Sequence, residues 1–173
     1  FRSETEELLA IINSEDSTVP AAVAKVIPSI AKAVDGIVAR MKQGGRLFYV
    51  GAGTSGRLGV IDASECPPTY GTNPELIQAI IAGGKKAVFN ASEGDEDNQE
   101  SGAKIIKEKD ISSLDTVMGI AASGRTPFVL GAIQEAKRVG ALTIALCNNA
   151  NTILTEVSDI SIVPQVGPEV VMG

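Results

Sequence analysis

The sequence predicts an α/β fold: a doubly wound, five-stranded parallel sheet behind an N-terminal helical arm. Three observations predict it. Past residue 45, five short runs rich in Val, Ile and Leu alternate with segments of helical period. Two of those runs end in turns of Gly, Ser and Thr that each open a helix. Aromatic residues make up 3% of the 173 residues, with no Trp, against 44% hydrophobic residues overall. Such a core of small and branched aliphatic side chains suits a sheet covered on both faces.

The elements follow in order. Ser3-Glu4-Thr5-Glu6 reads as a capping box, Ser at the N-cap and Glu three residues on, opening a short helix through Leu8, Leu9, Ile11 and Ile12. A second helix, from Pro20 to Gln43, is carried by Val23, Val26, Ile27, Ile30, Val34, Ile37 and Met41 at three- and four-residue steps. Pro28 is expected to kink it, and Gly44-Gly45 to stop it. These helices form the arm (1–44), expected to pack outside the sheet unit (45–173). Within that unit, strands are expected over Arg46–Val50, Leu76–Ala82, Asp115–Ala121, Leu142–Cys147 and Ile160–Pro164. Helices are expected over Gly56–Ser64, Glu96–Glu108, Thr126–Val139 and Thr152–Val157. Right-handed crossovers between parallel strands then gather the functional loops at the carboxyl edge of the sheet.

Composition excludes several kinds of chemistry. There is no histidine, so Ser-His-Asp and Cys-His catalysis and His-ligated metals are excluded within this chain. Proton transfer near neutral pH falls to carboxylates, Lys, Tyr or a thiol. A net charge of −6 disfavours nucleic acid as a partner. Cys66 and Cys147 are too few and too far apart for a zinc site or a disulfide framework, which suggests a reducing, cytoplasmic setting. No apolar run is long enough to span a membrane, and no signal peptide is read. Beginning at Phe1 and stopping at Gly173, the chain reads as a piece of a longer protein.

Four constellations carry chemistry. Gly51-Ala52-Gly53-Thr54-Ser55-Gly56-Arg57 follows the first strand, where glycines let backbone N–H groups approach an anion at a helix N-terminus. It is formally G-x-G-x-x-G, but the second strand ends in Ala82-Gly83-Gly84-Lys85-Lys86, without the carboxylate a dinucleotide ribose needs. A dinucleotide and a purely structural turn stay open as lesser readings. Ala121-Ala122-Ser123-Gly124-Arg125-Thr126-Pro127 repeats Ser-Gly-Arg after the third strand. Two such turns suggest one phosphate cradle, built from Gly53, Thr54 and Ser55 with Ser123, Gly124, Arg125 and Thr126. Third, Asp62 and Glu65 lie three apart on a helix that Pro67-Pro68 is expected to end, which would fix Glu65 at a helix C-terminus. Cys66 beside it reads as a packed residue. Fourth, the acidic run Glu93-Gly94-Asp95-Glu96-Asp97 reads most simply as the charge that favours a helix N-terminus, with a divalent-metal site as the weaker alternative.

The run GAGTSGRLGVIDASECPPTY at 51–70 closely resembles the N-acetylmuramic acid 6-phosphate etherase family, of the sugar isomerase (SIS) fold. IAGG at 81–84, EGDED at 93–97, GIAASGRTPFVLGA at 119–132 and VGPEV at 166–170 extend the likeness, as does IINSEDSTVPAAV at 11–23. Asp95, Phe128, Asn149 and Met172 depart from the family's usual residues. The resemblance implies a dimeric lyase of cell-wall recycling that uses no cofactor and no metal. It would cleave the lactyl ether at C3 of N-acetylmuramic acid 6-phosphate by elimination and hydration, giving N-acetylglucosamine 6-phosphate and D-lactate. It also implies that Glu65 and Glu96 are the catalytic carboxylates. Glu65 would be the acid for the lactyl oxygen, and Glu96, opening a polar helix, the base at C2. A phosphosugar aldose–ketose isomerase and a non-catalytic phosphosugar sensor on the same fold are the alternatives.

Overall fold

A computed structural model describes residues 4–171, so Ser3 of the expected capping box and Met172 lie outside the described residues. One sheet holds β1 (Leu47–Gly51), β2 (Ile77–Ile81), β3 (Thr116–Ile120), β4 (Leu142–Leu146) and β5 (Ile160–Ile162), all parallel, in the order β2-β1-β3-β4-β5. All five expected strands are present, with ends within one or two residues of the expected ones. The helices are α1 (Thr5–Asp16), α2 (Val19–Met41), α3 (Gly53–Tyr70), α4 (Lys85–Phe89), α5 (Glu93–Glu96), α6 (Gln99–Glu108), α7 (Pro127–Arg138) and α8 (Ile153–Val157). None among the described residues is long and apolar enough to cross a membrane.

Strand alternation divides the core in two. Phe48, Val50, Val117 and Ala145 face α6 and α7, packing with Ile106, Val129 and Ile133. Met118, Leu142, Ile144 and Leu146 face the other way, onto Val26, Ile30, Ala33 and Ile37 of α2. Tyr49 shares that second face and lies under α3, where a Cβ on Gly59 would stand 2.8 Å from the tyrosine Cβ. Of the expected arm, α2 packs onto the sheet. It closes one face of β4 and β5, because its apolar stripe needs a surface to bury against.

Two expectations are corrected, and one helix is added. Helix α3 does not stop at the prolines but runs on to Tyr70 and ends at Gly71, which adopts φ +67 and donates its N–H to Pro67 O at 2.8 Å. Pro67 and Pro68 remove only the ladder bonds to the Ala63 and Ser64 carbonyls, and Ser64 is exposed, so water can reach the freed group. The polar helix does not open at Glu96. Asn98 adopts an extended conformation and accepts the Ser101 N–H at 2.9 Å, so α6 begins at Gln99 and Glu96 closes the separate turn α5. Helix α4, too short to show a period, has no counterpart in the sequence reading.

Asp115 ties the amino ends of β1 and β3 together. Its carboxylate accepts hydrogen bonds from Arg46 N (2.8 Å), Nε (3.1 Å) and Nη2 (3.0 Å) and from Ser112 N (2.8 Å). Arg46 also donates to the Asp110 carbonyl just beyond α6, at 3.0 Å. Burial opposes the charge on Asp115, but the Arg46 guanidinium and the backbone N–H groups of Ser112 and Arg46 outweigh it and hold the carboxyl below its ordinary range. A carboxyl lowered on folding stabilises the fold fully above its unfolded value, and that support is lost as pH falls through the folded value. Asp115→Ala should cost about 3 kcal/mol at neutral pH in urea denaturation. Asp115→Asn should flatten the loss of stability that the parent chain shows below about pH 4.

Helices α6 and α7 touch through reciprocal glycines. A Cβ on Gly102 would stand 1.9 Å from Phe128 O, and one on Gly131 would stand 2.0 Å from Gln99 O. Both obstacles are backbone, so the helices must separate to admit a methyl group. Gly131→Ala should lower stability by about 3 kcal/mol in the same measurement, and adding Gly102→Ala should cost less than a second full increment, since one separation relieves both clashes.

Candidate functional site

Strand order places the site. β1 leads outward to β2 through α3, whereas β3 leads the opposite way to β4 through α7. Neighbouring strands whose connections diverge leave a crevice beyond their carboxyl ends. β1 and β3 are in register from Leu47↔Thr116 to Gly51↔Ile120, so both Ser-Gly-Arg turns emerge level at that crevice.

The first turn is shaped by close packing. A Cβ on Gly51 would meet Gly56 N at 2.6 Å, and one on Gly56 would meet Ile81 Cγ1 at 2.6 Å, so glycine at both positions lets the start of α3 sit against β1 and β2. Gly53 is required instead by its φ of +51. The first ladder bond of α3 runs from Gly56 N–H to Ala52 O (3.2 Å), leaving the N–H groups of Gly53, Thr54 and Ser55 outside the ladder. Ala52, at the N-cap, supplies no side-chain cap.

The second turn is braced from the far side. Gly124 (φ +65) stands so close to Thr152 that an added Cβ would lie 2.3 Å from Thr152 Oγ1. Its carbonyl accepts Leu154 N–H at 3.2 Å, and the Ala122 carbonyl accepts Asn148 N–H and Asn149 Nδ2–H, both at 3.0 Å. Ser123 Oγ accepts the Arg125 N–H at 3.2 Å, while Ser123 and Arg125 are exposed. Thr126 is the N-cap residue of α7, without a side-chain cap bond, and is half-buried. Nothing in the sequence signals that Thr152 and Asn149 brace this turn, because their contribution is contact across 25 or more residues.

A cleft of about 150 Å³ is lined by Gly53, Thr54, Arg57, Ala82, Ala87, Ala91, Ser92 and Glu96. The structure therefore joins the first turn to Glu96. The IAGG turn makes this fit: a Cβ on Gly83 (φ +79) would stand 2.8 Å from Ser92 Oγ and 2.7 Å from Asp95 Oδ2, so the chain carrying Glu96 rests directly on it. Ser92 hydroxyl and Asp95 carboxylate bond each other within α5 and its approach.

Glu65 is not part of this cleft. It stands in the fourth turn of α3, twelve residues beyond Gly53, or about 18 Å along the axis. It is exposed, and no side-chain hydrogen bond among the described residues holds it. Asp62, one turn earlier, accepts the Tyr49 hydroxyl at 2.7 Å and so anchors α3 to β1. Burial and that bond push the Tyr49 phenol well up. Both cysteines are buried free thiols, and burial raises each, at Cys66 with help from Asp62. Neither is disposed to act as a nucleophile. Among the described residues, no three Asp, Glu or Cys side chains gather as a metal site would require.

Comparison with known proteins bears on the family and the fold. The N-acetylmuramic acid 6-phosphate etherase of Clostridium acetobutylicum is 57% identical over 169 residues, 98% of this chain and 56% of that protein. That of Caldanaerobacter subterraneus is 56% identical over 172 residues, again covering 56% of its length. The chain thus spans about half the length of the curated relatives it matches. Among solved structures, a phosphoheptose isomerase from Francisella tularensis superposes with a TM-score of 0.71 at 19% identity, covering 94% of this chain and 86% of that one. The Vibrio vulnificus NanR protein gives 0.63 at 16% identity, covering 92% and 52%. At such identities the likeness is one of fold. The family model described as the glucokinase regulatory protein N-terminal SIS domain matches residues 29–137, from within α2 to the end of α7. This chain, with its two glycine turns at the β1–β3 switch point, belongs to that SIS family.

Proposed function

We propose that the chain forms the substrate-binding and catalytic portion of an N-acetylmuramic acid 6-phosphate etherase. The observation that carries this reading is the cleft whose lining includes both Glu96 and the Gly53 and Thr54 of the first turn. Identities of 53–57% to proteins of that name support it, as does the structural neighbour NanR, solved in complex with ManNAc-6P. In this reading the 6-phosphate is held by the turns at Gly53–Ser55 and Ser123–Thr126. Glu96 removes the C2 proton of the opened sugar, Glu65 protonates the departing lactyl oxygen, and water then adds to the unsaturated aldehyde. The roles no longer rest on helix ends, since Glu96 does not open α6 and Glu65 lies inside α3. They rest on Glu96 sharing a cleft with the cradle.

The distance between Glu65 and that cleft suggests a site shared by two copies. Leu58 and Ile61 are both 58% exposed, and Glu65 continues their row at helical spacing along α3. Ile27, Val34 and Val38 of α2 are exposed as well. A second copy seated on the apolar row would cover it and present Glu65 to a cleft it cannot reach within its own chain.

Two tests follow. Glu65→Gln should abolish lactate release yet still exchange the C2 proton of N-acetylglucosamine 6-phosphate with deuterated solvent, whereas Glu96→Gln should lose the exchange too. Near-native lactate release from both variants would remove the pair from catalysis, and a sensor would release none from the unaltered protein. Mixing the two inactive variants should restore up to about a quarter of the parent activity if each site draws one glutamate from each copy. Ile61→Glu should give a monomer in sedimentation and no restoration on mixing.

A further inference from the structure

We infer that Arg57 is a positioning residue that holds the Glu96-bearing segment against the first turn; the inference rests on the reading of Glu96 as the base. Arg57 lies in the second turn of α3, and its guanidinium points across to the chain that follows β2. Nε donates to Val88 O at 2.9 Å and Nη2 to Asn90 O at 3.1 Å. These carbonyls bracket the end of α4, where a cation is favoured by the unpaired peptide groups.

The rest of that segment is fastened to itself. Asn90 N–H and Nδ2–H both return to Lys86 O, and Ser92 pairs with Asp95. Between Lys85 and Asp97, the two bonds from Arg57 are the hydrogen bonds, among the described residues, that reach another element. Ala87, Ala91 and Ser92 in this stretch line the cleft with Glu96, so its inner wall is set by where Arg57 places it. A planar fork of donors suits two carbonyls at fixed separation, which a lysine ammonium cannot match in the same way. The second Ser-Gly-Arg turn differs in just this respect. Arg125 is exposed and its side chain donates to no protein group among the described residues.

Arg57→Ala, Arg57→Lys and Glu96→Gln, purified alongside the parent protein, test this through three readouts. These are amide hydrogen exchange over residues 85–97, the kcat for C2-proton exchange of N-acetylglucosamine 6-phosphate, and the Kd for inorganic phosphate. Misplacing the base without touching the cradle should accelerate amide exchange in the segment and lower kcat roughly 10²-fold in Arg57→Ala, with phosphate Kd unchanged. Arg57→Lys, keeping one donor, should fall between the alanine variant and the parent. Native kcat and native amide exchange in Arg57→Ala would overturn the inference. So would weakened phosphate binding at native amide exchange, which would make Arg57 a direct anion ligand. If the alanine variant does not fold, the lysine variant decides by the same criteria. C2-proton exchange surviving in Glu96→Gln would instead overturn the reading of Glu96, on which the inference stands, whereas loss in Glu96→Gln beside native Arg57 variants would overturn the inference alone.

Discussion

A buried carboxylate at the amino end of the sheet decides where the two turns at its carboxyl end come out. Asp115 accepts hydrogen bonds from residues flanking β1 and β3, three of them from Arg46. A slip of β1 against β3 by one residue would break that set and turn Tyr49 into the space of Phe48. With the register held, Gly51 stands opposite Ile120 and the turns are level. Asp159 plays a related part further along, accepting Thr143 N–H at 3.0 Å and Thr143 hydroxyl at 2.8 Å where β4 and β5 begin. The carboxyl edge can then be given over to glycines and small hydroxyl residues, because order is imposed from the other end.

In the proposed function the site divides its tasks between backbone groups and side chains. Backbone N–H groups are positioned by glycines pressed against strands, an arrangement that depends on packing rather than on side-chain reach. The carboxylates are placed less directly. Glu96 depends on the contact of Gly83 with Ser92 and Asp95, on Arg57, and on the end of α5. Glu65 stands on an exposed helical row beside Leu58 and Ile61. One glutamate thus lines a cleft while the other stands on the exposed surface.

Much of this was legible in the sequence, and the exceptions have physical causes. Strands were readable because each is an apolar run bounded by turn residues, and both glycine turns because they follow such runs directly. Pro67-Pro68 misled because a proline's effect on the preceding turn depends on whether the freed carbonyls find water, which composition does not reveal. Glu96 was placed at the start of a helix because the polar run from 96 to 101 marks no boundary by itself, whereas the Asn98 side chain in fact begins α6. Arg57 was visible within its motif, but the partners that define its task are carbonyls 31 and 33 residues away. Helix α2 looked like an appendage because its sheet-facing stripe says nothing about which surface it meets.

A receptor assembled from peptide N–H groups has one consequence of its own. Amides have no proton to give up across the range in which cells work, so in the proposed function the N–H groups of the first turn would offer an anion the same partial charge whatever the pH. These N–H groups contribute no titration of their own to binding there. A phosphate monoester gains its second charge near pH 6, and would be taken up more strongly as it does so. Under that proposal the turn would read the ionisation of its ligand without contributing one, leaving the side chains of Thr54 and Ser55 to set which molecule the charge is attached to.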